Sequence, residues 1–173
     1  MNPEEKERLE LAASLESIEV FQRDVEPVIV RARDQLLTRD NYRAYSMNDS
    51  ISRMTLGQEC LYTMVSRTYR FDERDPARVR AVFDAALAPL GFECRQDAYE
   101  GEGGTTDTVL AWTSERYGVT VHFLVSQSWL TSFNYYTGEL RSDGSGADPT
   151  VLADLPDRVP AWFAAVRSSA GSS

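Results

Sequence analysis

The stretch from about Thr106 to Leu140 constrains the fold most, because it carries the pattern of three consecutive β-strands. The predicted strands are Thr108–Ser114, Val119–Ser126 and Trp129–Thr137. Along the middle strand two sets of side chains alternate: Val119, Val121, Phe123 and Val125 on one face, and Thr120, His122, Leu124 and Ser126 on the other. This period of two indicates a strand with one buried side. A sheet of this kind needs a second layer over its apolar face, and helices elsewhere in the chain can supply it.

The remaining elements predict an α+β fold. Strands are expected at Cys60–Phe71 and Phe92–Tyr99, with a helix between them from Asp75, a natural N-cap, to Gly91. Residues 39–58 are polar without a clear period and are interpreted as a loop. The order after a long N-terminal helix is therefore β-α-β-β-β. It predicts an antiparallel sheet of four to five strands packed on helices.

The chain divides into three predicted parts. Residues 1–38 form an amphipathic helix with a seven-residue apolar repeat, kinked near Pro27. This helix either packs across the sheet or extends as a coiled-coil contact to a partner. Residues 39–141 form the α+β core domain, and residues 142–173 form a linker, a short C-terminal helix and a disordered tail.

The formal net charge of −9 on 173 residues restricts the partners. It argues against nucleic acid and anionic lipid, because both attract basic proteins. It favours solubility and a basic protein partner. The chain has no apolar run of the ~18 residues that a membrane helix requires. Either the protein is cytoplasmic, or an export signal has been removed upstream.

No motif predicts a reaction. His122 is the single histidine and has no second His or Cys at ligand spacing, so we interpret it as a polar-face residue of its strand. The loop Gly101–Gly104 is too short and acidic to hold phosphate. We therefore expect no catalytic, cofactor-binding or metal-binding residues and no cofactor. Cys60 and Cys94 are either free thiols or one disulfide, which would imply an oxidising compartment.

The aromatic residues of the last predicted strand suggest a surface. Trp129, Phe133 and Tyr135 share one face of this strand, and Tyr136 lies on the reverse. If a face of the sheet is left uncovered, these rings are a candidate binding face, since aromatic side chains carry much of the energy of interfaces. The alternative is that they form core under the helices.

The order of elements resembles a group of small uncharacterised actinobacterial lipoproteins, loosely of the LppA-like kind. The similar features, within residues 5–141, are Cys60 before a strand, the helix Asp75–Gly91, Trp112 before a Tyr-Gly turn, and the segment YYTGELR at 135–141. The resemblance implies an envelope-tethered α+β domain without known catalytic residues. It also implies a disulfide between Cys60 and a cysteine after the TG pair. Here that position holds Glu139, and Cys94 would have to substitute.

Two functions follow as hypotheses. The first is a non-enzymatic cell-envelope domain of the lipoprotein type, outside the cytoplasm, which binds a protein or an envelope component. The second is a cytoplasmic acidic protein of the immunity or inhibitor type, which masks a basic partner.

Overall fold

The computed structural model describes residues 1–151 and 158–170. Within them lies one antiparallel sheet of nine strands, so the predicted sheet of four to five strands is wrong, although the mixture of helices and antiparallel strands is confirmed. The strands are β1 (Tyr42–Ser46), β2 (Ser50–Leu56), β3 (Glu59–Val65), β4 (Thr68–Phe71), β5 (Glu93–Glu100), β6 (Thr106–Ser114), β7 (Val119–Val125), β8 (Thr131–Thr137) and β9 (Leu140–Arg141).

The hydrogen-bonded order is β1-β4-β8-β7-β6-β5, and β3 pairs with β2, β8 and β9. Strand β8 pairs first with β4, where Phe133 lies opposite Tyr69, and then with β3, where Tyr136 lies opposite Val65. The predicted strand Cys60–Phe71 is thus two strands, separated at Ser66 and Arg67.

Strands β1 and β2 occupy the region that the sequence predicts as a loop. In β2 only Ile51 and Leu56 are buried, and because they are five positions apart, an odd offset, their side chains point to opposite faces. Ile51 joins the main core, whereas Leu56 packs with Ala12 and Leu61 in a second, smaller cluster. Because neither face of β2 is continuously apolar, its sequence has no period of two.

Five helices accompany the sheet in the described residues: α1 (Pro3–Ser14), α2 (Ile18–Val20), α3 (Glu26–Leu36), α4 (Pro76–Leu87) and α5 (Phe163–Ala170). A π-helical turn, Phe21–Val25, joins α2 to α3. The N-terminal region is interrupted at residues 15–17, and Pro27 lies in the first turn of α3. Since Pro27 has no N–H to donate, the wider preceding turn accommodates it. Phe21, the first residue of the π turn, is fully buried.

Helix α4 agrees with its sequence signals. The Asp75 carboxylate accepts the backbone N–H of Ala77 at 3.0 Å, and Pro76 is the first helical residue. Its apolar stripe, including Phe83, faces the sheet, where the ring centre of Phe83 lies 5.4 Å from that of Trp112 and 4.9 Å from that of Phe123. The Trp112 indole N–H donates to Asp84 at 2.8 Å, which satisfies a polar group at the edge of this core.

The helices leave much of the second face of the sheet uncovered. Helix α1 covers this face only beside β2 and β3, through Leu9 and Ala12. Over the meander the side chains of this face are half-buried or exposed. They form cross-strand rows, two of which are Asp97–Val109–Leu124–Ser132 and Arg95–Ala111–His122–Asn134. We call the part of this face formed by β5 to β8 the open sheet face.

A substitution in the turn between β6 and β7 tests whether Leu15 of the N-terminal region packs against this turn. Gly118 has a φ of +62°, and a Cβ there would lie 2.8 Å from Leu15 Cδ1. We expect Gly118→Ala to lower the free energy of unfolding by about 1–3 kcal/mol, because the new side chain strains the backbone at a positive φ and clashes with Leu15. Urea unfolding measures the effect.

Gly144→Ala is the matched control. Its φ is +71°, but nothing lies within 4 Å of an added Cβ. We expect a loss of about 1 kcal/mol from the backbone alone. Equal losses for the two variants would contradict the packing of Leu15 against the turn.

Candidate functional site

The four aromatic residues predicted as a binding face do not form one surface. Phe133 and Tyr135 are 1% exposed and point into the helix-covered core. Tyr136 is 39% exposed on the open sheet face, and Trp129 is 72% exposed in the loop between β7 and β8. This corrects the prediction: two of the rings are core, and only Trp129 and Tyr136 can contact a partner.

The loop between β7 and β8 holds Trp129 outward. The hydroxyl of Ser126, itself buried, accepts the backbone N–H groups of Ser128 at 3.3 Å and Trp129 at 2.9 Å. The Arg74 guanidinium donates to the carbonyl of Gln127 at 3.0 Å and ties the loop to the start of α4. The exposed indole therefore belongs to a loop whose main chain is fixed by these hydrogen bonds.

Trp129 borders a concavity of about 680 Å³ at one end of the open sheet face. Three of its lining residues, Glu100, Glu102 and Asp107, carry carboxylates, and none carries a positive charge. Its remaining lining residues are Gly101, Leu124, Ser126, Ser128, Trp129 and Leu130. We call it the acidic concavity.

Tyr99 is a further exposed ring beside the acidic concavity. It lies opposite Asp107 on the neighbouring strand and is 56% exposed. Sequence reasoning did not select it. The sequence signal for Tyr99 was the alternation along β5, which places Arg95, Asp97 and Tyr99 on the same outward face.

A second polar cluster lies inside the protein. The carboxylate of Glu26, 3% exposed, accepts the Tyr135 hydroxyl at 2.7 Å and pairs with the Arg158 guanidinium at 2.8 Å. Burial, followed by the charge of Glu26, raises the pKa of Tyr135 well above its usual value. Glu26 and Arg158 are 132 positions apart, so local sequence patterns contain no signal for this pair.

The cluster continues through Arg33 and Arg67, which are 1% and 7% exposed. Arg33 donates to the carbonyl of Arg158 at 2.6 Å, and its guanidinium carbon lies 5.5 Å from the centre of the Tyr69 ring. Arg67 lies between two rings, 5.0 Å from the centre of Tyr45 and 4.8 Å from that of Phe163. We call these residues, with Glu26, Tyr135 and Arg158, the buried arginine cluster.

The cysteines are free and far apart. Cys60 lies on β3 and Cys94 on β5, and the sheet places β8, β7 and β6 between them. Four strand spacings of about 4.8 Å separate the two by ~19 Å, whereas a disulfide needs Cα atoms within ~7 Å. The alternative of a Cys60–Cys94 disulfide is therefore excluded in this fold.

His122 lies on the open sheet face between Ala111 and Asn134 in the cross-strand rows. Partial burial lowers the pKa of its imidazole. In the described parts of the chain, no three or more His, Cys, Asp and Glu side chains are grouped so as to hold a metal ion.

The comparisons with known proteins decide the family. The family described as "Domain of unknown function (DUF4853)" matches residues 14–148. The chain belongs to the DUF4853 family. A crystal structure of a DUF4853 family protein from Actinomyces odontolyticus is similar to it, with a TM-score of 0.60 and 15% identity over 84% of this chain and 81% of that chain. No curated protein matches the sequence significantly.

At 15% identity the solved relative supports the DUF4853 fold and nothing about activity. The matched region contains the whole nine-stranded sheet and the acidic concavity. Arg158 and Phe163 lie outside it, so part of the buried arginine cluster comes from a segment beyond the family match. Among the described helices, none is long and apolar enough to cross a membrane.

The Glu26–Arg158 pair predicts a large effect on stability. Glu26→Gln leaves a buried guanidinium without its counter-charge, and we expect the free energy of unfolding to fall by about 3–5 kcal/mol. Tyr135→Phe removes one hydrogen bond to the carboxylate and should cost about 1–3 kcal/mol. Urea unfolding, with the slope compared between variants, measures both effects.

Glu10→Gln provides the control, because the Lys6–Glu10 pair is exposed on α1 with its charged atoms 3.8 Å apart. Exposed pairs contribute less than about 1 kcal/mol. If Glu26→Gln costs no more than Glu10→Gln, Glu26 does not compensate Arg158 as the geometry indicates.

Tyr69 predicts a loss of stability at alkaline pH. Burial raises its pKa to about 12, against about 10 in the unfolded chain. The folded state therefore holds the phenol proton longer, so stability is full below about pH 10 and falls as the pH rises towards 12, by about 2–3 kcal/mol. Tyr135, whose pKa is raised as well, adds to the same decline.

Urea unfolding as a function of pH, with tyrosinate absorbance as a second signal, tests this prediction. Tyr69→Phe should make the decline shallower, whereas Tyr99→Phe, which alters an exposed ring, should leave it unchanged. Equal curves for wild type and Tyr69→Phe would contradict the raised pKa.

Proposed function

We propose that this chain is a non-enzymatic binding domain that holds a positively charged segment of a partner protein in the acidic concavity. One observation carries the proposal: an indole that is 72% exposed stands beside three carboxylates in one concavity that no basic residue lines. Tryptophan is one of the residue types enriched among the side chains that carry most of the energy of protein interfaces.

The chemistry of the acidic concavity suits arginine and lysine side chains. Carboxylates pair with guanidinium and ammonium groups, and the face of an indole attracts the same cations. Leu124 and Leu130 provide apolar contacts for the alkyl parts of such side chains. Tyr99 and Tyr136, both exposed on the open sheet face, extend the surface beyond the concavity.

The net charge of the whole chain also favours binding of a basic partner. A net charge of −9 attracts a basic partner over distances of about a Debye length and repels acidic ones. The acidic concavity adds a specific place for contact to this general attraction. An experiment can separate binding in the acidic concavity from general attraction by the net charge.

The test measures binding of an oligo-arginine peptide by the change in tryptophan fluorescence. We expect binding that weakens as salt rises, and no binding of an oligo-glutamate peptide of equal length. Trp129→Phe should abolish most of the signal, because Trp112 is buried, and Trp162 packs against Tyr42 and does not line the concavity. The triple variant Glu100→Gln, Glu102→Gln, Asp107→Asn should weaken binding at least about tenfold, which corresponds to 1.4 kcal/mol.

A second triple variant, Glu7→Gln, Glu59→Gln, Glu115→Gln, changes the net charge by the same amount at exposed positions elsewhere. It should weaken binding only by a small factor. If the two triple variants weaken binding equally, attraction is diffuse and the acidic concavity is not the site. Absence of binding to the oligo-arginine peptide would contradict the proposal as a whole.

The cell envelope is the compartment that we propose for this binding domain. The resemblance to small actinobacterial lipoproteins supports it, as described for residues 5–141. The proposal expects an export signal and a lipidated cysteine in the genomic reading frame upstream of Met1. N-terminal sequencing and fractionation of the native protein test this, and a native start at Met1 with recovery in the cytoplasm would contradict it.

A further inference from the structure

The buried arginine cluster contains hydrogen-bond donors without acceptors. Among the described residues, Nε and Nη1 of Arg67, Nη2 of Arg33 and the hydroxyl of Tyr69 have no hydrogen-bond partner. Arg67 is 7% exposed and Tyr69 is 1% exposed, so water outside the protein does not satisfy these groups. A buried donor left without an acceptor is costly, and a buried cation more so.

The charges around Arg67 are also incompletely compensated. Arg158 has the Glu26 carboxylate at 2.8 Å, and the Nε of Arg33 donates to the Asp34 carboxylate at 2.9 Å. Among the described residues, the carboxylate paired with the Arg67 guanidinium is that of Asp49, whose oxygen lies 3.7 Å from Nη2, which is too long for a hydrogen bond. Of the three guanidinium groups in the cluster, that of Arg67 therefore has the weakest partner.

The free donors of Arg67 and Tyr69 belong to one environment. Arg67 lies in the break between β3 and β4, Tyr69 lies in β4, and both side chains are buried. Both contact the same ring: the guanidinium carbon of Arg67 lies 4.8 Å from the centre of Phe163, and the Tyr69 ring centre lies 5.7 Å from it. Arg33 adds a second positive charge beside Tyr69.

We infer that Arg67 and Tyr69 donate hydrogen bonds to a small inorganic anion enclosed beside Phe163. An anion supplies both missing features, an acceptor for the free donors and a negative charge beside an undercompensated guanidinium. Because the donors are almost wholly buried, the ligand is of the size of chloride or bromide rather than a large organic acid. This site lies in the core and is separate from the acidic concavity.

Thermal unfolding of the full chain in sodium bromide and in sodium gluconate, at equal ionic strength, tests the inference. Salts affect unfolding in general ways, so the quantity to compare is the gap in midpoint between wild type and a variant. We expect the gaps to Arg67→Met and Tyr69→Phe to widen as bromide replaces gluconate, because only wild type retains the full site. Arg95→Met, at an exposed arginine, should show a gap that does not depend on the anion.

Tyr69→Phe keeps the test decisive if Arg67→Met does not fold. Replacing a hydroxyl that has no partner should leave stability in gluconate nearly unchanged, so a bromide-dependent gap then reports the anion alone. Anomalous diffraction from a bromide-soaked crystal should place a peak within hydrogen-bond distance of Arg67 or Tyr69. Gaps that do not depend on the anion, or a water molecule at that position, overturn the inference.

A further variant separates a free anion from a carboxylate of the chain itself. Asp154 and Asp157 lie shortly before Arg158 in the sequence. In the double variant Asp154→Asn, Asp157→Asn, we expect the bromide dependence of the gap to Tyr69→Phe to persist unchanged. Bromide dependence that arises only in this variant would show that the chain's own carboxylate is the acceptor, and would overturn the inference.

Discussion

Two hydrogen bonds between Ser66 and Tyr135 keep the sheet continuous at the point where its regular pairing stops. The N–H of Ser66 donates to the carbonyl of Tyr135 at 2.8 Å, and the N–H of Tyr135 donates to the Ser66 hydroxyl at 2.8 Å. Because this hydroxyl takes the place of a main-chain carbonyl, β8 stays bonded while it passes from β4 to β3. The same interruption places Arg67 inside the protein, where the Asp49 carboxylate accepts its backbone N–H at 2.8 Å. The break in the strand at Ser66 and Arg67 thus explains both the extent of the sheet and the position of Arg67 in the buried arginine cluster.

The two faces of the sheet have different roles as a consequence. The covered face carries the aromatic core and the paired charges, which tie the segment around Arg158 to the start of α3 through Glu26. The open sheet face carries polar side chains together with Val109, Leu124 and the exposed rings of Tyr99 and Tyr136, and it ends in the acidic concavity beside Trp129. The sheet lies beneath the concavity, and the loop between β7 and β8, whose main chain is hydrogen-bonded to Ser126, lies at its side.

Prediction from sequence succeeded where the signal was local. The meander and helix α4 each carry their own period and their own end signals, and β6, β7 and β8 lie within two residues of their predicted bounds. It failed for β2, because Ile51 and Leu56 pack into different cores on opposite faces. The candidate site was found only in part: Trp129 and Tyr136 were selected, whereas Tyr99 and the three carboxylates were not. Those residues belong to different strands and loops, and only the pairing of β5 with β6, and of β6 with β7, brings them together.

The sequence by itself determined that this chain forms an antiparallel meander covered by amphipathic helices, because strand and helix periods are properties of neighbouring residues. It also determined the relation among the aromatic residues of β8: Phe133 and Tyr135 on one face, Tyr136 on the other. Only the tertiary structure decided which of these faces the helices cover. It also decided which charges are buried together, since pairs such as Glu26 and Arg158 form between segments far apart in the chain. Packing between distant segments is not encoded in any local period, and that is where the candidate sites of this protein lie.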